Sequence, residues 1–110
     1  MDLGLTGKVA LVTGGSEGIG KAAALSMVAE GAKATICARR EDVLNAAADE
    51  IRAATGGEVL AVTADVSTAE GVQKVIDATL SQFGRLDILV NNAGTSAAGP
   101  FESVTDEGWQ

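Results

Sequence analysis

The sequence predicts an α/β fold, a parallel sheet with helices packed on both of its faces. Three observations carry that expectation. Four short apolar runs, at 8–13, 32–38, 58–64 and 86–91, alternate with three stretches of helical periodicity. The runs are nearly continuous in apolar residues, as strands covered on both faces must be. Each helical stretch closes on glycine, at Gly31, Gly56-Gly57 and Gly84. Such alternation calls for right-handed crossovers between parallel strands.

The first strand, Lys8-Val9-Ala10-Leu11-Val12, runs into Thr13-Gly14-Gly15-Ser16-Glu17-Gly18-Ile19-Gly20. This reads as strand, tight turn and helix start. Gly14 and Gly15 can take backbone angles closed to other residues. Gly18 and Gly20 let the helix start lie close to the strand and to a ligand. The free N–H groups and positive dipole end of that helix favour an anion. The plain alternative is a glycine-rich turn with no ligand. A nucleoside-triphosphate P-loop competes, because Gly15 to Lys21 matches G-x-x-x-x-G-K. That loop needs a hydroxyl next for magnesium, and Ala22 has none.

The first helix is predicted over 18–30, with Ile19, Ala23 and Met27 on its buried face. The second covers 41–54, where Leu44, Ala47, Ala48 and Ile51 follow i, i+3, i+4, i+7. The third covers 68–83, with Val72, Val75, Ile76, Thr79, Leu80 and Phe83 on one stripe and a capping box of Ser67 and Glu70. The expected strand order is 3-2-1-4, a Rossmann-type sheet ending after the fourth strand. Ligand then belongs between strands one and four, at Thr13-Gly14 and Asn91-Asn92. Residues 94–104 read as loop. Thr105 could cap a helix with Asp106 and Glu107 in its first turn and Trp109 as its first large apolar residue. A domain rarely ends one turn into a helix. The 110 residues are therefore expected to be one partial domain of a longer protein.

Composition narrows the classes of function. Net charge is −7, which argues against a nucleic-acid surface. No apolar run approaches the ~20 residues that span a membrane. With no His and one Cys, a structural zinc site lacks ligands. Cys37 sits in an apolar strand and reads as a buried, inert thiol. No secretory signal is visible, and a cytoplasmic setting is expected.

T-G-x-x-x-G-I-G at 13–20, Asp65-Val66 after the third strand and Asn91-Asn92-Ala93-Gly94 after the fourth form an ordered set. From Leu5 to Trp109 the chain resembles the N-terminal half of the short-chain dehydrogenase/reductase family. The resemblance implies that Gly14, Gly15, Ser16, Glu17, Gly18, Ile19 and Gly20 cradle the cofactor's diphosphate. It implies that Asp65 accepts from the adenine amino group, with the Val66 backbone against the ring. Asn92, Ala93 and Gly94 would line the ribose path. Helix capping competes for Asp65, and a purely structural strand tie competes for the Asn motif. Where NAD-selective sites place an acid for the ribose 2′-hydroxyl, this chain has Ala38, followed by Arg39 and Arg40. An Arg fork suits a 2′-phosphate, so NADP(H) is preferred and NAD(H) possible. Glu17 dissents, since the family often carries a base there; a solvated Arg pair is the alternative.

The resemblance implies hydride transfer between NADP(H) and an alcohol or carbonyl. The family's Ser, Tyr, Lys and further Asn fall beyond the matching end. The sequence has no Tyr, so no catalytic residue is assigned. The chain alone binds cofactor at most. A small-molecule substrate joins only with the remaining half, and the parent is expected to be a homo-oligomer. A stand-alone, non-catalytic dinucleotide-binding module and an inert fragment with a raw fourth-strand edge are the rival readings.

Overall fold

The computed structural model describes residues 4–92 and the backbone of Ser103–Thr105. Its elements are β1 (Val9–Thr13), α1 (Gly18–Ala29), β2 (Lys33–Ala38), α2 (Glu41–Thr55), β3 (Val59–Thr63), α3 (Ala69–Phe83), β4 (Ile88–Asn91) and β5 (Ser103–Thr105). They form one sheet in the order β3-β2-β1-β4-β5. The first four strands are parallel, with Val12 beside Ile36 and Val90, and Ile36 beside Ala61. The expected 3-2-1-4 order therefore holds, and β1 and β4 meet at the reversal.

The strands bury both faces, which explains their continuous apolar sequence. Val12, Ala34 and Ile36 face α1 and α2, where Ala24, Val28, Leu44, Ala47, Ala48 and Ile51 complete one core. Leu11, Cys37 and Val62 face α3 and meet Val75. Thr79 brings a hydroxyl into this second layer, where its Oγ1 lies 2.9 Å from Thr35 Oγ1 and 2.8 Å from the Val75 carbonyl. No buried side-chain polar atom is orphaned among the described residues, as burial requires.

Four expectations need correction. The buried face of α1 is Gly20, Ala24 and Val28, one residue on from Ile19, Ala23 and Met27, and Ile19 is 77% exposed. Alanine at 22, 23 and 24 gives the pattern no phase. The contact of Gly20 with the turn after β1 sets the rotation. On α3, Val75 and Thr79 are buried, but Val72 and Leu80 are exposed at 38% and 44%. The helix packs on β2 and β3, so only part of its stripe is covered. The cap of α3 is Thr68, whose side chain accepts from the Gly71 N–H at 2.9 Å, and not Ser67. Finally, Ser103–Thr105 is neither loop nor helix cap. It pairs antiparallel with β4, so β4 is not a bare edge, because ladder bonding satisfies its backbone groups. The rest of that expected helix, with Trp109, lies outside the described residues.

One structural residue had no motif to announce it. Asp87 is buried beside the start of β1. Its carboxylate accepts from the Val9 N–H at 2.8 Å and from Arg85 Nε and Nη2, both at 2.8 Å. Burial alone would raise its pKa. The Arg85 fork, the Val9 N–H and the charges of Arg85 and Lys8 outweigh burial and hold it below the ordinary 3.8. A depressed carboxyl stabilises the fold above its unfolded pKa, and that contribution disappears as pH falls through the folded value. Asp87→Ala should cost about 1.5–3 kcal/mol at pH 7. Urea titrations at pH 7 and in strong acid check this, because the gap between wild type and variant should close only below pH 3.8. A gap unchanged in acid would refute the charge-based role.

Candidate functional site

The strand-to-helix turn after β1 is built by two left-handed glycines and two close approaches. Gly14 has φ +68° and Gly18 has φ +57°, where a side chain is strained. Gly15 has no such angle. A Cβ there would lie 2.7 Å from Ile36 Cβ, so close packing under β2 demands it. A Cβ on Gly20 would collide with the Gly14 carbonyl oxygen and lie 3.0 Å from Asn92 Nδ2. The roles expected of Gly15 and Gly18 are thus exchanged.

The Gly14 and Gly15 N–H groups both donate to the Cys37 carbonyl, at 2.9 and 3.3 Å, and are spent on holding the turn. The donors left for a ligand belong to the start of α1. No side chain caps that helix, and the Ile19 and Gly20 N–H groups have no partner among the described residues. The contrast with α3, capped by Thr68, is direct. An uncapped N-terminus pressed against glycines offers donors and a positive dipole end to an anion.

Thr13 ties this turn to the end of β4. Its hydroxyl donates to Asn91 Oδ1 at 3.0 Å and accepts from the Asn92 N–H at 2.8 Å. The tie between strand ends expected of the Asn motif is present, with Thr13 as a hub to which the sequence pattern gave no role. Its place at the end of a central strand was the available signal.

A cleft of about 540 Å³ opens at the carboxyl ends of β1, β2, β3 and β4, within the size range of small-ligand sites. Of the candidate residues, Gly14, Arg39, Asp65 and Val66 line it, with Thr13, Ala38, Ser67 and Asn91 beside them. Gly15, Ser16, Glu17, Gly18, Ile19 and Gly20 form the neighbouring turn. Both arginines are exposed, but Arg39 lines the cleft whereas Arg40 is paired with Asp42 at 3.6 Å. Asn92 lies behind Gly20. Ala93 and Gly94 lie outside the described residues.

The polar groups of the cleft have distinct states. Asp65 Oδ1 accepts from the Ser67 hydroxyl at 2.6 Å and the Ser67 N–H at 2.9 Å. Those two bonds, with the charge of Arg39, hold its carboxyl below the ordinary range. It is an ionised acceptor at neutral pH. Burial pushes the Cys37 thiol up to about 11, against a lowering contact from the Gly14 backbone, so it is no nucleophile. Among the described residues no acidic, His or Cys cluster could hold a metal, and no helix is long and apolar enough to cross a membrane.

A glycine cradle, an open helix N-terminus and a cleft at the sheet's switch point define the Rossmann-type class of α/β nucleotide-binding proteins. The chain belongs to the short chain dehydrogenase family, whose profile matches residues 8–110. It is 44% identical to an Arabidopsis thaliana 11-beta-hydroxysteroid dehydrogenase-like protein over 92% of this chain and 33% of that one. It superposes on L-sorbose reductase from Gluconobacter frateurii, complexed with NADPH and L-sorbose, with TM-score 0.84 and 46% identity over 99% of this chain and 41% of the other. NAD+-bound xylitol dehydrogenase aligns with TM-score 0.78 and 35% identity over 83% of this chain and 35% of that one. The chain spans less than half the length of these relatives.

Proposed function

We propose that this chain is the dinucleotide-binding portion of an oxidoreductase that moves hydride between NADP(H) and an alcohol or carbonyl substrate. The observation that carries the reading is the uncapped start of α1, held by Gly20 against Gly14 and set beside a cleft that contains Arg39 and Asp65. The diphosphate sits at the N–H groups of Ile19 and Gly20. The cleft at Asp65 and Val66 would take the adenosine end, and Asn92 would border the ribose path. NADP(H) is the preferred cofactor, because Arg39 lines the cleft and Ala38 offers no carboxylate to compete for it. Glu17 is exposed at the turn and works against a phosphate, so the preference is modest. Two of the similar structures hold different cofactors, NADPH in one and NAD+ in the other, and the family relation supports a dinucleotide of either kind.

The substrate, the homo-oligomeric parent and a cytoplasmic setting belong to the same proposal; the single cysteine is buried and free. The 110-residue chain itself should bind and not turn over, because it has no Tyr to act as acid/base. Calorimetry with NADPH and NADH tests binding, with NADPH expected about tenfold tighter. A carbonyl-reduction assay on the same sample should stay at background. Absence of binding to either dinucleotide by folded chain would end the proposal. Turnover that disappears when one of its own residues is mutated would end the cofactor-only assignment.

A further inference from the structure

The sequence pattern assigns the cap of α3 to Ser67, but Thr68 performs it. Thr68 Oγ1 accepts from the Gly71 N–H and donates to the Asp65 carbonyl, both at 2.9 Å. The Thr68 N–H also donates to that carbonyl, at 3.2 Å. A Cβ on Gly71 would collide with the same oxygen, so α3 sits directly on the backbone of Asp65. This anchors the main chain of the 65–68 turn and leaves the Ser67 hydroxyl without a capping duty.

That hydroxyl is spent on the Asp65 side chain. It donates to Oδ1 at 2.6 Å, beside the Ser67 N–H at 2.9 Å. Both bonds land on one carboxylate oxygen, and Oδ2 has no hydrogen bond among the described residues. Two donors on Oδ1 limit rotation about the Cβ–Cγ bond, since rotation would forfeit both. Asp65 and Ser67 line the cleft together. We propose that Ser67 is a positioning residue for the adenine end of the cofactor: its hydroxyl holds the Asp65 carboxylate in the orientation that leaves Oδ2 for the exocyclic amino group. The inference rests on the dinucleotide reading above and adds to it a residue that acts through Asp65 without touching the base.

The test compares NADPH with its hypoxanthine analogue, in which an acceptor oxygen replaces the amino donor. The ratio of the two affinities reads the Asp65 contact and is insensitive to losses shared by both ligands. Wild type should prefer NADPH by about tenfold or more, as a bond to a charged acceptor implies. Asp65→Asn should bring the ratio near one. Ser67→Ala keeps the N–H bond and the Thr68 cap, so the fold is retained, yet the ratio should drop to about threefold or below. Ser67→Thr restores the hydroxyl and should restore the ratio. Carboxyl NMR on Ser67→Ala should show the Asp65 pKa rising toward the ordinary range. A wild-type ratio in Ser67→Ala, with the ratio lost in Asp65→Asn, would overturn the role of Ser67 while leaving the cofactor reading intact. Wild type that binds neither dinucleotide, or both equally, would overturn the adenine reading itself and this inference with it.

Discussion

Gly20→Val should abolish binding of both dinucleotides, with affinity down by roughly a hundredfold or more, about the cost of losing two hydrogen bonds to a charged group. The first added carbon already collides with the Gly14 carbonyl and reaches Asn92 Nδ2 at 3.0 Å. α1 must then move away from β1, and its open N–H groups leave the position that a diphosphate needs. Overpacking of this kind costs about 1–3 kcal/mol in stability, so binding must be measured on protein shown to be folded by circular dichroism. Gly56→Ala is the control. Gly56 ends α2 at φ +72°, and a side-chain carbon added there would meet no atom within 4 Å. Alanine there strains the backbone by about 1 kcal/mol and should leave nucleotide affinity unchanged. Gly14→Val, at φ +68°, should behave like Gly20→Val. A folded Gly20→Val chain with wild-type affinity would mean that the start of α1 holds no phosphate.

The second large effect is a reversal of cofactor choice by Ala38→Asp combined with Arg39→Ala. Arg39 lines the cleft where β2 ends, while Arg40 is 74% exposed at its side chain and engaged with Asp42. Only the first is placed to meet a 2′-phosphate. A charge-assisted Arg–phosphate contact contributes about 1.5–3 kcal/mol, or roughly ten- to a hundredfold in affinity. Glu17 should hold the wild type near the low end. The introduced carboxylate repels a phosphate and accepts from a ribose hydroxyl, so the NADPH/NADH affinity ratio should shift by about a hundredfold toward NADH. Arg40→Ala should change neither affinity by more than about twofold, as solvated charges at this exposure are screened. Equal affinities in wild type that are unaltered by Arg39→Ala would reduce both arginines to surface charge.

Local pattern made much of this legible. The strand runs were readable because a doubly covered strand must be apolar along its length, and β1 is buried throughout. The face of α2 was readable because Leu44, Ala47, Ala48 and Ile51 contrast with the charges between them. The glycine turn announced itself by density and context. Where contrast was missing, as along the alanines of α1, periodicity carried no phase. Where two capping residues stood side by side, as at Ser67-Thr68, pattern had no means to divide their roles. Asp87 lay in no motif, since its value comes from Val9, 78 residues away.

The alternation of β1 to β4 with α1 to α3, the parallel pairing of those four strands and the glycine turn after β1 were legible in the amino-acid order, whereas the antiparallel pairing of Ser103–Thr105 with β4 was not. Among the matters that waited for the folded chain are three at the site: that Arg39 and not Arg40 reaches the cleft, that Gly15 yields to Ile36 while Gly18 takes the left-handed angle, and that Thr68 frees Ser67 for Asp65. The first two depend on distances between residues of different elements, which exist only after strands have paired and helices have docked. The third is local, Thr68 lying three residues from both Asp65 and Gly71, and was decided by which hydroxyl reaches the Gly71 N–H.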